Sequence, residues 1–479
     1  MARFDTVVLG GTAVLPYVGP VRCDVGVRAG RIAALADALE PADGDEVVDA
    51  RGRLVLPGAV DSHFHIGIYR DLATDAESET ASALAGGVTT VVSYFRTGSH
   101  YLNKSGPYRT IFPEVVAATE GHAHTDFGYH IGIMTSEQLD EVEWLVGEGV
   151  ASFKYYMFYK GLNLTSDSTR GTAYTMSDAY DLGHLYLLMH QVAAAAGRHR
   201  ARGRVSLSLH CEQAELIRVF IEQVKRAGPA GLEGYHHSRP PLTERLSMAE
   251  AMVLADATRC PVNLLHLSSA EAVAAATSSR RQHPHLDIRL EITLHHLALT
   301  WDTAGGILGK VNPPIRTADD REALWEAVLD GRIDTVVSDH ACCSEEDKAR
   351  DLWSALPGFG GTALLYPYLL SEGSRRGLSL PRVVELASAN PARAFGLYPR
   401  KGILAVGSDA DLVVLDPERE QTVTPEVLHS AQDFTPFAGM RVKGWPTATL
   451  LRGQVVYQDG RVIGRPGGRY VKRPVPMHR

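Results

Sequence analysis

The sequence is poor in the features that place a chain in a special class. Its 479 residues include only five cysteines, few and odd in number, so a disulfide framework is not expected and a reducing compartment is. No stretch reaches the roughly 18 apolar residues that a membrane helix needs. No low-complexity tract and no repeat with a period of about 20–50 residues occurs. Basic residues are not in excess: 56 acidic against 48 basic side chains give a formal charge of −8. Nucleic acid is therefore not the expected partner, because phosphate binding needs a net basic surface. Gly-x-Ser-x-Gly and phosphate-loop signatures are absent, which removes the support for a serine-nucleophile hydrolase or a nucleotide-phosphate site. The first residues read as a strand, Phe4–Leu9, and not as a signal peptide. Without secretion, the sequons at Asn103 and Asn163 carry no meaning. The expectation is a cytoplasmic protein with a small-molecule partner and no membrane.

What is present is an ordinary globular composition, 45% hydrophobic and 22% charged, with an excess of histidine at 20 residues. Residues 1–56 consist of short apolar runs broken by glycine: Thr6–Leu9, Cys23–Val27, Arg31–Leu35 and Glu46–Asp49. The same texture returns in Ala410–Leu415, Ala448–Leu451 and Gln454–Tyr457. Two β pieces flanking a long middle predict one small β-sandwich from both chain ends, residues 1–56 and 400–479. The last nineteen residues carry six Lys or Arg and three prolines. They read as a solvated tail or as an arm on a neighbouring subunit.

The middle, residues 57–399, alternates strand-like runs with amphipathic stretches. The runs are Leu54–Val60, Val88–Phe95, Phe127–Met134, Ser152–Phe158, Val205–His210, Val262–His266, Leu290–Leu294 and Asp334–Asp339. Helical candidates such as Ser136–Leu145, Met248–Ala257 and Asp319–Leu329 lie between them. Eightfold alternation predicts an α/β fold, a (β/α)8 TIM-like barrel, with a doubly wound open sheet as runner-up.

Five runs carry polar residues toward one rim: the first leads into His63 and His65, the fourth holds Lys154 inside it, and His210, His266 and Asp339 end three others. Barrel active sites are built on that rim. His63 and His65 are two apart, so on a strand they face one side and can share a cation. Lys154 sits among Phe153, Tyr155, Tyr156 and Met157, where an isolated ammonium is costly. A lysine can snorkel out of such a place. It can also lose its proton and react with carbon dioxide, giving a carbamate, an anionic ligand with two oxygens. Four histidines and an aspartate on the same rim favour the carbamate. Taken singly, His210 and His266 read as core histidines and Asp339 as a buried carboxylate in need of a partner.

Gly58-Ala-Val-Asp-Ser-His-Phe-His65, the strand lysine, the two later histidines and Ser338-Asp-His340 resemble the amidohydrolase superfamily. Ser152–Gly161, Ser238-Arg-Pro-Pro241, Lys310–Arg316, Asn390–Gly402 and Gly407–Leu412 are similar to its dihydropyrimidinase/hydantoinase branch of cyclic amidases. The resemblance covers nearly the whole chain. It implies two divalent metal ions, commonly zinc in that family, at sites that also suit manganese, cobalt or iron. His63, His65 and Asp339 would hold one ion and His210 and His266 the other, with carboxylated Lys154 (N6-carboxylysine) bridging. Tyr159, five residues on, would hydrogen-bond the oxyanion. Asp339 would move the proton while a hydroxide shared by the two ions opens a hydantoin or dihydropyrimidine ring to an N-carbamoyl amino acid. A homotetramer is also implied.

The substrate side departs from that pattern. Asn312 stands where hydantoinases usually have serine, and Asn-Pro-Pro-Ile-Arg is closer to dihydroorotase. The stretch Ile66–Asp71 nevertheless lacks a dihydroorotase Arg-Glu-Pro. Gly358 replaces an expected asparagine contact, and Cys342-Cys343 follows Asp339-His340. Tyr69 and the tyrosines near Lys154 predict a bulky or aromatic substituent. Another cyclic amidase, allantoinase or dihydroorotase, is the alternative. A non-catalytic scaffold is disfavoured because all six ligand positions are filled, and a mononuclear deaminase because such enzymes lack the strand lysine.

Overall fold

The computed structural model describes residues 3–159 and 182–474. Eight parallel strands form the central ring: β1 (Ala59–His65), β2 (Val88–Arg96), β3 (Asp126–Gly132), β4 (Ser152–Tyr156), β5 (Ser206–His210), β6 (Val262–Leu264), β7 (Ile288–Thr293) and β8 (Thr335–Val337). Each pairs in parallel with the next. Every residue of β1, β2 and β3 is buried, as expected for strands covered on both faces. Closure is made by β8 and its continuation. Thr335 pairs with Glu291 of β7, and after a two-residue break His340 and Ala341 pair with Phe64 and His65 of β1. The break holds Ser338 and Asp339, and Asp339 takes a left-handed backbone at φ 52. The Asp61 carboxylate clamps it, accepting from Ser338 N at 3.1 Å and Ser338 Oγ at 2.5 Å.

Two further sheets build the small β unit. One is four-stranded and comes from the N-terminal segment alone, with Phe4–Leu9 between Asp24–Arg28 and Gly44–Asp49. The other is seven-stranded and mixes both ends: Leu412–Thr422 pairs with Leu54–Pro57 on one side and Arg441–Leu451 on the other. Val8, Val25, Ile32, Val55, Leu412 and Leu450 belong to the common core of these sheets.

The structure corrects three readings of the sequence. The run Leu54–Val60 is two strands: Leu54–Pro57 belongs to the seven-stranded sheet, and β1 starts at Ala59. Pro57-Gly58 makes the break, where a Cβ on Gly58 would fall 2.1 Å from Thr89 Oγ1. Ser136–Leu145 is a 3-10 turn, Glu137–Glu141, followed by the short helix Val142–Gly147. The basic tail, as far as Pro474, is not simply a solvated one: Arg461, Arg465, Arg469 and Lys472 are exposed, while Gly468, Val471, Arg473 and Pro474 are buried. Its backbone runs beside Phe127, and Arg473 is fully buried under the chain's own barrel.

Candidate functional site

The rim at the C-terminal ends of the strands brings together His63, His65, Lys154, His210, His266 and Asp339. With Tyr69, Asn312 and Gly358 they line one cavity of about 100 Å³. Tyr159 closes the turn Met157–Tyr159 that follows β4, but its side chain lies outside the described residues.

His63 and His65 face one side of β1, as period-two geometry requires. Both point Nε2 at Asp339 Oδ1, at 3.0 and 3.2 Å. Their Nδ1 atoms are held from behind, by Glu291 Oε1 at 2.7 Å and by the Tyr101 hydroxyl at 3.1 Å. His63, His65 and Asp339 present ligand atoms within 4.8 Å of one another. Burial opposes charge on His63, but Asp339 and Glu291 outweigh it and raise its pKa to about 9. Burial dominates at His65 and brings it down to about 4. The same burial would raise the Asp339 carboxyl, yet the two imidazoles hold it well below the carboxylate range.

On the other side, His210 and His266 stack edge to face with ring centroids 4.3 Å apart. His210 Nε2 meets Glu212 Oε2 at 2.6 Å, which leaves Nδ1 as the nitrogen for a cation. Arg239 grips Glu212 through Nε and Nη2 at 2.9 and 2.6 Å. His266 also has a left-handed backbone at φ 35, and its buried Nδ1 has no hydrogen-bond partner among the described residues. Burial lowers both histidines, His210 to about 4, so both are neutral and able to ligate at neutral pH.

Lys154 lies between the two groups. Its Nζ sits over the rings of Tyr94 and Tyr156, at 4.4 and 4.8 Å from their centroids. Burial lowers the amine to about 7, despite Asp339 and Glu291. The donor set fits two divalent cations: four imidazoles, of which His65, His210 and His266 are neutral at pH 7, a carboxylate, an amine ready for carboxylation and an orphaned ring nitrogen.

On the substrate side, the Tyr69 hydroxyl donates to Pro357 O at 2.7 Å and fixes the rim loop. Asn312 Oδ1 accepts from the Tyr235 hydroxyl at 2.5 Å, so its amide nitrogen is the group left to face a ligand. Gly358, at φ 104, offers backbone only. Cys342 and Cys343 are buried free thiols packed into a loop. The Cys342 sulfur lies 3.6 Å from Arg70, which also reaches Asp75 and Glu79 at 3.4 Å. That guanidinium already supplies the cation for the acidic pair.

Sequence reasoning missed Glu291, Tyr101, Glu212, Arg239 and Tyr94, which orient or underlie the rim. Two signals were legible: Glu291 is a carboxylate inside an apolar strand, and Glu212 stands two residues after His210.

The sequence pattern of the amidohydrolase family matches residues 190–456. The chain is 33% identical to the allantoinase of Rubrobacter xylanophilus over 476 residues, 98% of each chain. It is 31% identical to the D-hydantoinase of Ralstonia pickettii over 492 residues, 98% of this chain and 99% of that one. Among solved structures, the L-hydantoinase (dihydropyrimidinase) of Arthrobacter aurescens is similar with a TM-score of 0.86 and 31% identity, covering 98% of this chain and 100% of that one. A rim of histidines, lysine and aspartate on a closed parallel barrel, together with these likenesses along the whole chain, places the protein: it belongs to the amidohydrolase family.

Proposed function

We propose that the chain hydrolyses a ring amide of a cyclic ureide, of hydantoin or dihydropyrimidine type, to an N-carbamoyl amino acid. The observation that carries this reading is the rim itself: two imidazole pairs flank a buried lysine amine, with one aspartate at their junction. His63, His65 and Asp339 would hold one divalent ion and His210 and His266 the second. Lys154, carboxylated by carbon dioxide, would bridge them. The ions are zinc in this reading. When bound, they supply an acidified water and polarise the ring carbonyl.

The chain's own groups do the rest. Asp339 accepts the proton of that water and returns it to the ring nitrogen as the C–N bond breaks. Tyr159, five residues after Lys154 in sequence, is the proposed donor to the oxyanion. The Asn312 amide and the Gly358 backbone orient the ring. Ile68, Tyr69, Phe158, Val311 and Pro357 make the rest of the lining largely apolar. That lining suits an aromatic or bulky substituent better than the polar ureido group of allantoin.

The test is a panel of phenylhydantoin, dihydrouracil, allantoin and dihydroorotate on zinc- and manganese-loaded protein. Phenylhydantoin should turn over fastest. Preference for dihydrouracil, allantoin or dihydroorotate would overturn the aromatic or bulky substituent, and turnover of none of the four would overturn the ring class. Residues 57–399 as the catalytic barrel, residues 1–56 and 400–479 as the sandwich, a homotetrameric assembly and a cytoplasmic location complete the proposal. No helix of the described residues is long and apolar enough to cross a membrane.

A further inference from the structure

Arg473 has no part in the chemistry above, yet it is fully buried beneath the site. Its Nη1 donates to Ser152 Oγ at 3.2 Å and Phe395 O at 3.0 Å, and its Nη2 to Tyr129 O at 2.5 Å. Among the described residues all its hydrogen-bond acceptors are neutral, and no acidic group is paired with it. A guanidinium buried without a counter-ion is expensive, and folds keep such a group only where the surroundings hold it in place.

The barrel floor is shaped to receive it. Phe127 N donates to Arg469 O at 3.0 Å, Val471 N to Phe127 O at 2.8 Å and Arg473 N to Gly149 O at 2.9 Å, so the tail is sewn along the start of β3. Three glycines leave the room. A Cβ on Gly128 would fall 3.0 Å from Arg473 Nε, one on Gly149 2.6 Å from Lys472 Cα, and one on Gly468 1.8 Å from Thr125 O.

From Arg473 a continuous set of contacts rises to the rim. Ser152 precedes Lys154 by two residues on β4, on the same face. Ser152 Oγ meets His130 Nδ1 at 2.5 Å, and His130 Nε2 meets the carbonyl of Ser62, the neighbour of His63, at 2.9 Å. His130 stacks on Tyr94 at 4.3 Å between centroids, and Lys154 Nζ rests 4.4 Å from the Tyr94 centroid.

We propose that Arg473 is a positioning residue for the metal centre, holding Ser152 and the His130–Tyr94 stack so that Lys154 stands at the height the two cations require. The C-terminal segment is then a structural part of the active site. This rests on the reading that Lys154 is the carboxylated ligand.

The test uses full-length protein with Arg473→Met, which keeps bulk and removes the donors, and Arg473→Lys, which keeps charge. Metal per chain is measured after dialysis over a range of bicarbonate, and the carbamate carbon is followed by NMR in 13C-bicarbonate. Arg473→Met should lose the carbamate signal at low bicarbonate, hold zinc at least tenfold more weakly, and regain both as bicarbonate rises. Arg473→Lys should fall between it and the unaltered protein. Unchanged carbamate and metal in Arg473→Met would overturn the proposal, as would a loss that bicarbonate does not restore. Should Arg473→Met not fold, Ser152→Ala cuts the same link and should show the same bicarbonate-dependent loss; unaltered behaviour there would overturn the proposal equally. An unaltered protein with no carbamate signal would instead sink the carboxylation reading on which this rests.

Discussion

His63 is held between two carboxylates, with Glu291 Oε1 2.7 Å from Nδ1 and Asp339 Oδ1 3.0 Å from Nε2. In the metal-free protein this keeps the ring protonated up to a pKa of about 9. A cation must displace that proton before it can bind Nε2. The sign is fixed: a raised histidine pKa stabilises the metal-free fold below about 6.5, its ordinary value, and that contribution is lost as pH rises through about 9. Zinc affinity should therefore climb up to about tenfold per pH unit between about pH 7 and 9, then level off. Competition titrations against a chromogenic chelator measure it, and a flat profile across that range contradicts it.

Glu212 has two buried partners, the His210 ring and the Arg239 guanidinium. Glu212→Ala removes the group that fixes His210 and leaves Arg239 as an unpaired buried cation. The fold should lose about 3–5 kcal/mol, and metal affinity should fall by about 10- to 100-fold. Thermal melts and metal analysis on the same preparation report both effects. A variant with full metal and an unchanged melting point would show that the pair is idle.

With its amine at about 7, Lys154 is mostly neutral at pH 8, where an ordinary lysine near 10.4 is almost entirely charged. At fixed dissolved carbon dioxide, uptake by the metal-free protein should rise as pH passes about 7, well below the range where an ordinary lysine would take it up. Lys154→Ala should lose metal and activity, and a short carboxylate such as propionate should restore part of both by supplying two oxygens. Activity in Lys154→Ala without added carboxylate would remove the lysine from the site.

The rim was legible in the sequence because a barrel strand advertises its end. An apolar run stops, and the next polar side chain faces the active face; His210 and Asp339 read this way, and His63 and His65 follow from period two. What supports the rim was legible only in part: Glu291 and Glu212 stand out locally, but the groups they contact do not. Glu291 reaches His63 and Arg473 reaches Ser152 across hundreds of residues, and no local pattern marks such a contact. The first run was misdivided because Leu54–Val60 is uniformly apolar although its two halves belong to different sheets. Closure of the ring by His340 and Ala341, after a break, is likewise a consequence of geometry and not of periodicity.

Lys401 joins the small β unit to the barrel. Its buried Nζ lies 2.6 Å from Asp126 of β3 and 2.6 Å from Asp411. Lys401→Met would leave these carboxylates, together with Asp409, short of their shared cation. The loss should be about 3–5 kcal/mol, read as a fall in the denaturant midpoint. An unchanged midpoint would mean that Arg452, which also contacts Asp126, suffices alone.

Metal dependence of ring opening is the most direct test. The protein is stripped with ethylenediaminetetraacetate, its metal content is measured, and hydrolysis of a 5-substituted hydantoin is followed by the appearance of the N-carbamoyl amino acid. The expected result is two ions per chain before stripping, no turnover after it, and recovery on adding zinc with bicarbonate. Full-rate hydrolysis by the stripped protein would contradict it.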